Sequence, residues 1–176
     1  GSLIALEAAA RAPKRVTQLA MLGTCVPMPV PQALLELSLS DVGAAIDRVV
    51  TFSFSTLAAK PSYPGPGVWL RGAARALMHQ VMRAQDDARL FHTDFSACND
   101  YQGGLQAAAL VRCPACLVLA REDQMTLPKA AREVAVVLKA PVHTVPGGHF
   151  LMQESPDPVL AALREAWAAP AAAFSA

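Results

Sequence analysis

Two stretches of this sequence decide its fold: residues 112–128 read RCPACLVLAREDQMTLP, and residues 145–156 read VPGGHFLMQESP. Each stretch places an ionisable side chain, Asp123 or His149, shortly after an apolar run. Short apolar runs bounded by turn residues are typical of buried strands in a parallel sheet. Because loops at the carboxyl edge of such a sheet surround one crevice, we expect Asp123 and His149 to face the same site.

An acid and a histidine at that edge suit nucleophilic catalysis. The imidazole takes a proton from a hydroxyl, and the carboxylate fixes the imidazole tautomer and stabilises the imidazolium that forms. Gly147 and Gly148 let the backbone turn tightly before His149 and leave room beside it. The pattern therefore predicts His149 as a general base, paired with Asp123 or with its neighbour Glu122.

The N-terminal part of the chain extends the same alternation of helix and strand. Residues 2–11 are rich in helix formers and stop before Pro13, and residues 16–22 have the pattern of a short buried strand. Residues 25–104 differ, because clustered prolines are followed by apolar residues at helical spacing. We interpret this segment as a helical insertion.

After Gly104 the alternation resumes as strand, helix, strand and helix, at residues 115–120, 129–138, 142–145 and 158–167. The fold class predicted is α/β, with strands of a parallel sheet flanked by helices and interrupted by a helical cap. The predicted units are a core segment at 1–24, a cap or lid at 25–104, a second core segment at 105–170 and a disordered tail at 171–176.

The same stretches resemble the α/β-hydrolase fold superfamily. Residues 112–128 look like its acid loop, usually written P-x-L-V-I-x-G-x-x-D-x-x-x-P, although Ala120 stands where glycine is commoner. Residues 145–156 resemble its histidine loop, and residues 1–13 are similar to the helix that leaves its nucleophile elbow, G-x-S-x-G. The resemblance covers nearly the whole chain and is least specific in the cap.

The resemblance implies a Ser-Asp-His triad with Asp123 as the acid and His149 as the base, in the superfamily's order. No G-x-S-x-G occurs in these residues, and the match makes Gly1 the last glycine of the elbow. The nucleophile is therefore expected upstream of residue 1. The implied reaction is hydrolysis of a small apolar ester or related acyl compound by the intact parent enzyme, through a covalent acyl-enzyme. This chain alone is expected to be inactive and, with an unpaired strand edge, poorly soluble.

Three alternatives remain open. Members of the superfamily with an aspartate nucleophile cleave carbon–halogen bonds or epoxides, and others cleave carbon–carbon bonds or act as cofactor-free haloperoxidases. Epoxide opening usually needs cap tyrosines, and Tyr63 and Tyr101 are the two tyrosines here. A non-catalytic binding remnant of the fold is the second alternative. The third is a dithiol redox module of Cys113 and Cys116, which would need a thiolate of low pKa.

Apolar side chains beside the triad positions indicate the character of the pocket. Met125 and Phe150 adjoin the acid and histidine loops and are candidate pocket residues, whereas Met78 and Met82, at helical spacing, are interpreted as core. The histidines have no metal-ligand spacing with another histidine, cysteine or carboxylate, so we assign no metal and no cofactor. A small-molecule substrate is the expected partner.

Composition argues against several other functions. The 176 residues are 53% hydrophobic and 16% charged, which suits one buried core. Fifteen basic and 14 acidic residues form no basic stripe, so nucleic acid is not an expected partner. No apolar stretch reaches the roughly 20 residues that a membrane span needs. Four cysteines are too few for a secreted disulfide scaffold, so we expect reduced thiols and a cytoplasmic protein whose true N-terminus lies upstream.

Overall fold

The fold is built on a parallel sheet of three strands in chain order, β1 (Leu19–Leu22), β2 (Ala115–Ala120) and β3 (Val142–Val145). The computed structural model describes residues 1–55, 67–85 and 87–168. Its helices are α1 (Ser2–Arg11), α2 (Gln32–Ser40), α3 (Val42–Ser53), α4 (Leu70–Ala84), α5 (Leu90–Asp100), α6 (Gly104–Leu110), α7 (Arg132–Leu138), α8 (Leu151–Glu154) and α9 (Pro156–Ala168). Among these helices, none combines the length and the apolar character needed to cross a membrane.

The α/β class and the parallel sheet flanked by helices are confirmed. The first strand is shorter than predicted, because pairing with β2 begins at Leu19, opposite Ala115, while Val16 still donates its backbone N–H to the turn after α1. The helix expected from residue 129 begins with a turn of 3₁₀ helix, Pro128–Ala131. The boundaries of the core and cap units stay predictions, and the tail at 171–176 lies outside the described residues.

Strand β2 lies at the centre of the sheet and is buried along its whole length. Leu117 and Leu119 pack into one cluster with α1, α6 and α7, and Val118 and Ala120 pack into another with α8 and α9. Successive side chains of a strand point to opposite faces, so a strand with helices on both sides is apolar at every position. This is why the run at 115–120 contains no charged residue.

Helices α2 to α5 form two further apolar clusters beside the sheet, both of which involve α3. Asp41 begins α3 by accepting a hydrogen bond from the backbone N–H of Ala44 at 2.9 Å, a standard helix N-cap. The clusters reach back to the core, because Phe150 packs against one and Met125 against the other. Helices α2 to α5 therefore contact the two loops that carry the candidate site.

Truncating the central strand should destabilise the protein. Leu117 is fully buried, so Leu117→Ala is expected to lower the free energy of unfolding by about 2–5 kcal/mol through lost burial and the cavity it leaves. Val136→Ala on α7 is the control, because Val136 is 76% exposed. Urea titrations followed by circular dichroism measure both variants. Equal midpoints for the two variants would contradict the central position of β2.

Candidate active site

The register of β2 and β3 brings the acid and histidine loops together. Ala120 lies opposite Val145 at the end of the paired segment. The pairing continues one step into the loops, where Arg121 donates its backbone N–H to Val145 at 2.9 Å and Glu122 donates to Gly147 at 3.0 Å. The loops that follow β2 and β3 are therefore held side by side at the carboxyl edge of the sheet, where open α/β folds bind their ligands.

Asp123 is a buried carboxylate with its acceptor positions occupied. Its Oδ1 accepts hydrogen bonds from the backbone N–H groups of Met125 and Thr126, each at 2.8 Å. Its Oδ2 accepts from the Thr126 hydroxyl at 2.8 Å and faces His149. The residue is 3% exposed, so these donors replace the hydrogen bonds that an exposed carboxylate would make to water.

His149 is held by that carboxylate. Its Nδ1 lies 2.9 Å from Asp123 Oδ2 and 3.2 Å from Thr126 Oγ1. An ionised carboxylate can only accept, so Nδ1 carries the proton and Nε2 is the basic nitrogen. The His149 side chain is 26% exposed whereas that of Asp123 is 1% exposed. The imidazole is therefore on the open side of the pair and the carboxylate lies behind it.

Two opposing effects act on the pKa of Asp123. Burial favours the neutral acid and raises the pKa, but the hydrogen bond and the positive charge of His149, together with the bonds from Thr126, lower it. The stabilising contacts prevail, and the pKa of Asp123 lies below its ordinary value. Asp123 is thus ionised at neutral pH and can stabilise an imidazolium.

Glu122, the competing acid, has a different role. Its Oε2 accepts a hydrogen bond from the backbone N–H of Gly147 at 2.6 Å and so supports the turn before His149. Gly147 has a φ of 105°, which side chains disfavour. A Cβ on Gly148 would lie 2.6 Å from the backbone nitrogen of Ser55. Both glycines in the predicted turn are therefore required by the backbone around them.

A cavity of about 650 Å³ opens in front of His149. Both candidate pocket residues, Met125 and Phe150, line it, with apolar side chains from α2, α3 and α5 such as Leu34, Val49 and Phe95. Met78, interpreted as core from the sequence, packs against both apolar clusters of helices α2 to α5 and also lines the cavity. The space fits a small, mostly apolar molecule beside a histidine.

Comparison with known proteins supports the same architecture. No protein-family profile and no curated protein sequence matches this chain. Solved structures do: an enol-lactonase from Burkholderia xenovorans LB400 superposes with a TM-score of 0.75 at 16% identity, covering 94% of this chain and 62% of its own. A thermophilic esterase gives 0.74 at 19%, covering 94% and 61%. A protein described as a putative non-heme bromoperoxidase, from Mycobacterium tuberculosis H37Rv, gives 0.68 at 19%, covering 100% and 65%.

The chain has a partial α/β-hydrolase fold. It spans a little under two thirds of the length of these three proteins. At identities below 20% the likeness establishes the fold, and function has to be argued from the site itself.

Two polar residues of the site were missed by sequence reasoning. Thr126 contacts both members of the acid–histidine pair, and Glu154 is a buried acid that bonds to the histidine loop. A signal existed for Thr126, because a residue three positions after an aspartate often turns back to its carboxylate. Glu154 gave a weaker signal, an acid at the end of the short run FLMQE.

The cysteine pair does not suit redox chemistry in this setting. Cys113 precedes β2 and Cys116 lies within it, so neither thiol lies at a helix N-terminus. Burial raises the pKa of both thiols, which disfavours the thiolate that thiol–disulfide exchange requires.

Within residues 1–55, 67–85 and 87–168, no group of three or more histidine, cysteine or acidic side chains is placed to hold a metal ion.

The contribution of Asp123 to stability should disappear in acid. Because its folded-state pKa is depressed, ionised Asp123 stabilises the fold above its unfolded pKa of about 4, and this is lost as the pH falls through the folded-state pKa. The difference in unfolding free energy between wild type and Asp123→Asn should therefore persist to about pH 5 and shrink below about pH 4. Urea titrations across that range test it, with Asp94→Asn, an exposed acid of α5, as the control. A difference that is independent of pH would exclude this electrostatic contribution.

The thiols of Cys113 and Cys116 should react slowly near neutral pH. Titration with an aromatic disulfide reagent at about pH 7 is expected to be slower for both than for a free cysteine, whose pKa is about 8.5, because burial raises their pKa values. Cys113→Ser and Cys116→Ser assign the signals. A fast-reacting thiol at either position would contradict this expectation and support the dithiol redox module of Cys113 and Cys116.

Proposed function

We propose that the protein to which these residues belong hydrolyses a small, fairly apolar ester or related acyl compound. His149 acts as the general base, Asp123 orients and stabilises it, and the nucleophile is a serine outside these residues. The observation that carries the proposal is the 2.9 Å contact between His149 Nδ1 and buried Asp123 Oδ2, with the imidazole open to an apolar cavity. The likeness to an esterase and an enol-lactonase supports it.

The catalytic cycle follows from the tautomer. His149 Nε2 takes the proton of the serine hydroxyl as its oxygen attacks the acyl carbon, and the imidazolium that forms is stabilised by Asp123. The same nitrogen then returns the proton to the leaving alcohol, which leaves an acyl-enzyme. Water, deprotonated by His149, then attacks the acyl carbon. The bond from that carbon to the serine oxygen breaks, the imidazolium returns its proton to this oxygen, and the acid is released. Ester and water are thereby converted to alcohol and carboxylic acid.

The cavity indicates the substrate class. Among the described lining residues, Arg48 has the one permanently charged side chain, and most of the wall is methionine, leucine, valine, proline and phenylalanine. An apolar acyl group packs against such a wall without leaving polar groups unpaired.

The two tyrosines give no support to epoxide opening. Tyr101, a possible epoxide-activating residue, donates its hydroxyl to Glu7 on α1 instead, and Tyr63 lies outside the described residues. Ester hydrolysis is therefore favoured over epoxide opening.

The decisive test is covalent labelling and turnover in the full-length protein. A fluorophosphonate should label one serine, and His149→Ala should lower both its labelling rate and hydrolysis of p-nitrophenyl butyrate by on the order of 10⁴-fold, because the base is lost. His143→Ala is the matched control, since His143 lies on β3 away from the acid loop, near Glu165. Residues 1–176 alone should show no turnover that depends on His149.

Four outcomes would contradict the proposal. Esterase activity that survives His149→Ala removes the base from the mechanism. Activity of residues 1–176 alone that His149→Ala abolishes places the nucleophile inside this chain. A full-length protein that binds apolar esters without labelling or turnover supports a non-catalytic binding role, and an aspartate trapped as an alkyl ester by a haloalkane points to carbon–halogen chemistry.

A further inference from the structure

Glu154 is an acid, 5% exposed, that joins two segments far apart in sequence. Its Oε2 accepts the backbone N–H of Gly148 at 2.6 Å, the residue before the candidate base. The backbone N–H of Ser55 lies 3.2 and 3.1 Å from Oε1 and Oε2, and the Ser55 hydroxyl donates to Oε1. One carboxylate thus bonds the histidine loop to the chain that leaves α3.

A second set of contacts connects the same segments. Phe150 donates its backbone N–H to the carbonyl of Ser53 at 2.9 Å, and the rings of Phe54 and Phe150 meet edge to face with centroids 5.1 Å apart. A Cβ on Gly148 would lie 2.6 to 2.9 Å from backbone atoms of residues 53–55. The residues on both sides of His149 are therefore fixed to one short segment.

That segment is also the end of the cavity wall. Val49, Phe52 and Ser53 of α3 line the cavity that His149 faces. The contacts between residues 53–55 and residues 148–154 therefore set the distance between the imidazole and a substrate that packs against α3. A carboxylate is a suitable clamp because hydrogen bonds to an ionised acceptor are short and strong.

We propose that Glu154 is a positioning residue, which fixes the His149 loop to α3 and so places the base against a substrate bound at the cap. This inference rests on the function proposed above. Small displacements at a reacting centre cost far more in rate than in binding. Loss of the clamp should therefore lower kcat and leave KM nearly unchanged.

The variant Glu154→Gln tests the clamp in the full-length protein with p-nitrophenyl butyrate. The amide keeps the shape but loses the negative charge that strengthens these hydrogen bonds, and its nitrogen cannot accept from the Ser55 hydroxyl as the second carboxylate oxygen does. The expected result is a fall in kcat of about 10- to 100-fold with KM changed by less than about threefold. Glu133→Gln, an exposed glutamate of α7, is the matched control and should retain wild-type kinetics.

A milder variant keeps the test valid if Glu154→Gln does not fold. Ser55→Ala removes one donor to Glu154 and leaves both backbone bonds in place. It should lower kcat by about threefold, again with KM nearly constant. Each assay is run well below the melting temperature of the variant, so a loss of stability alone would leave kcat unaltered.

The outcomes separate the two proposals. If wild type is active, His149→Ala is inactive and the Glu154 and Ser55 variants match wild type in kcat, the positioning role is overturned and the proposed function stands. If the wild-type protein neither labels nor hydrolyses esters, both proposals are overturned. A rise in KM at constant kcat would assign Glu154 to substrate binding and also overturn the positioning role.

Discussion

The parallel pairing of β2 with β3 is the constraint on which the rest of the site depends. The two strands end at the same level, with Ala120 opposite Val145, and backbone bonds continue the pairing to Gly147. A shift of one residue in this register would move one loop by about 3.3 Å along the other. A hydrogen bond does not tolerate such a displacement, so the contact between Asp123 and His149 exists because the register is fixed.

Burial of Asp123, together with the hydrogen bonds it accepts, fixes which nitrogen of His149 carries the proton. A buried carboxylate cannot bond to water and needs donors from the protein. The loop supplies two backbone N–H groups to Oδ1 and the Thr126 hydroxyl to Oδ2, the oxygen that also faces His149. The remaining acceptor capacity of Oδ2 is directed at the imidazole. The histidine proton is thereby held at Nδ1, which leaves Nε2 as the basic nitrogen, and His149 lines the cavity. Orientation and charge stabilisation come from the same small set of bonds.

The sheet edge and the helices between β1 and β2 contribute different parts of the site. The sheet edge holds the acid and the histidine, whereas helices α2, α3 and α5 supply much of the apolar wall. Their relative position depends on the contacts between residues 53–55 and the histidine loop. The structural neighbours with this fold are described as an enol-lactonase, an esterase and a putative non-heme bromoperoxidase, and one fold can carry such different functions because function depends on the site.

Local signals in the sequence determined the elements and the identity of the principal residues. The strand at 115–120 and the helix at 2–11 follow from continuous apolar burial and from helix propensity, which are properties of neighbouring residues. Asp123, His149, Met125 and Phe150 could be chosen because each stands in a loop that follows a recognisable strand. The proximity of Asp123 and His149 was predictable from the order of the strands.

The resemblance already favoured Asp123 over Glu122 as the partner of His149, but only the tertiary structure decided what Glu122 bonds to and what holds the site together. Glu122 and Asp123 are adjacent in sequence, and the twist of the loop turns one towards Gly147 and the other towards His149. Thr126 bridges two loops, and Glu154 bonds to Ser55, 99 residues away. Such contacts depend on packing between elements distant in sequence, and no local pattern of residues specifies them. The sequence by itself determined the strands and the candidate residues, and the packed fold decided their partners.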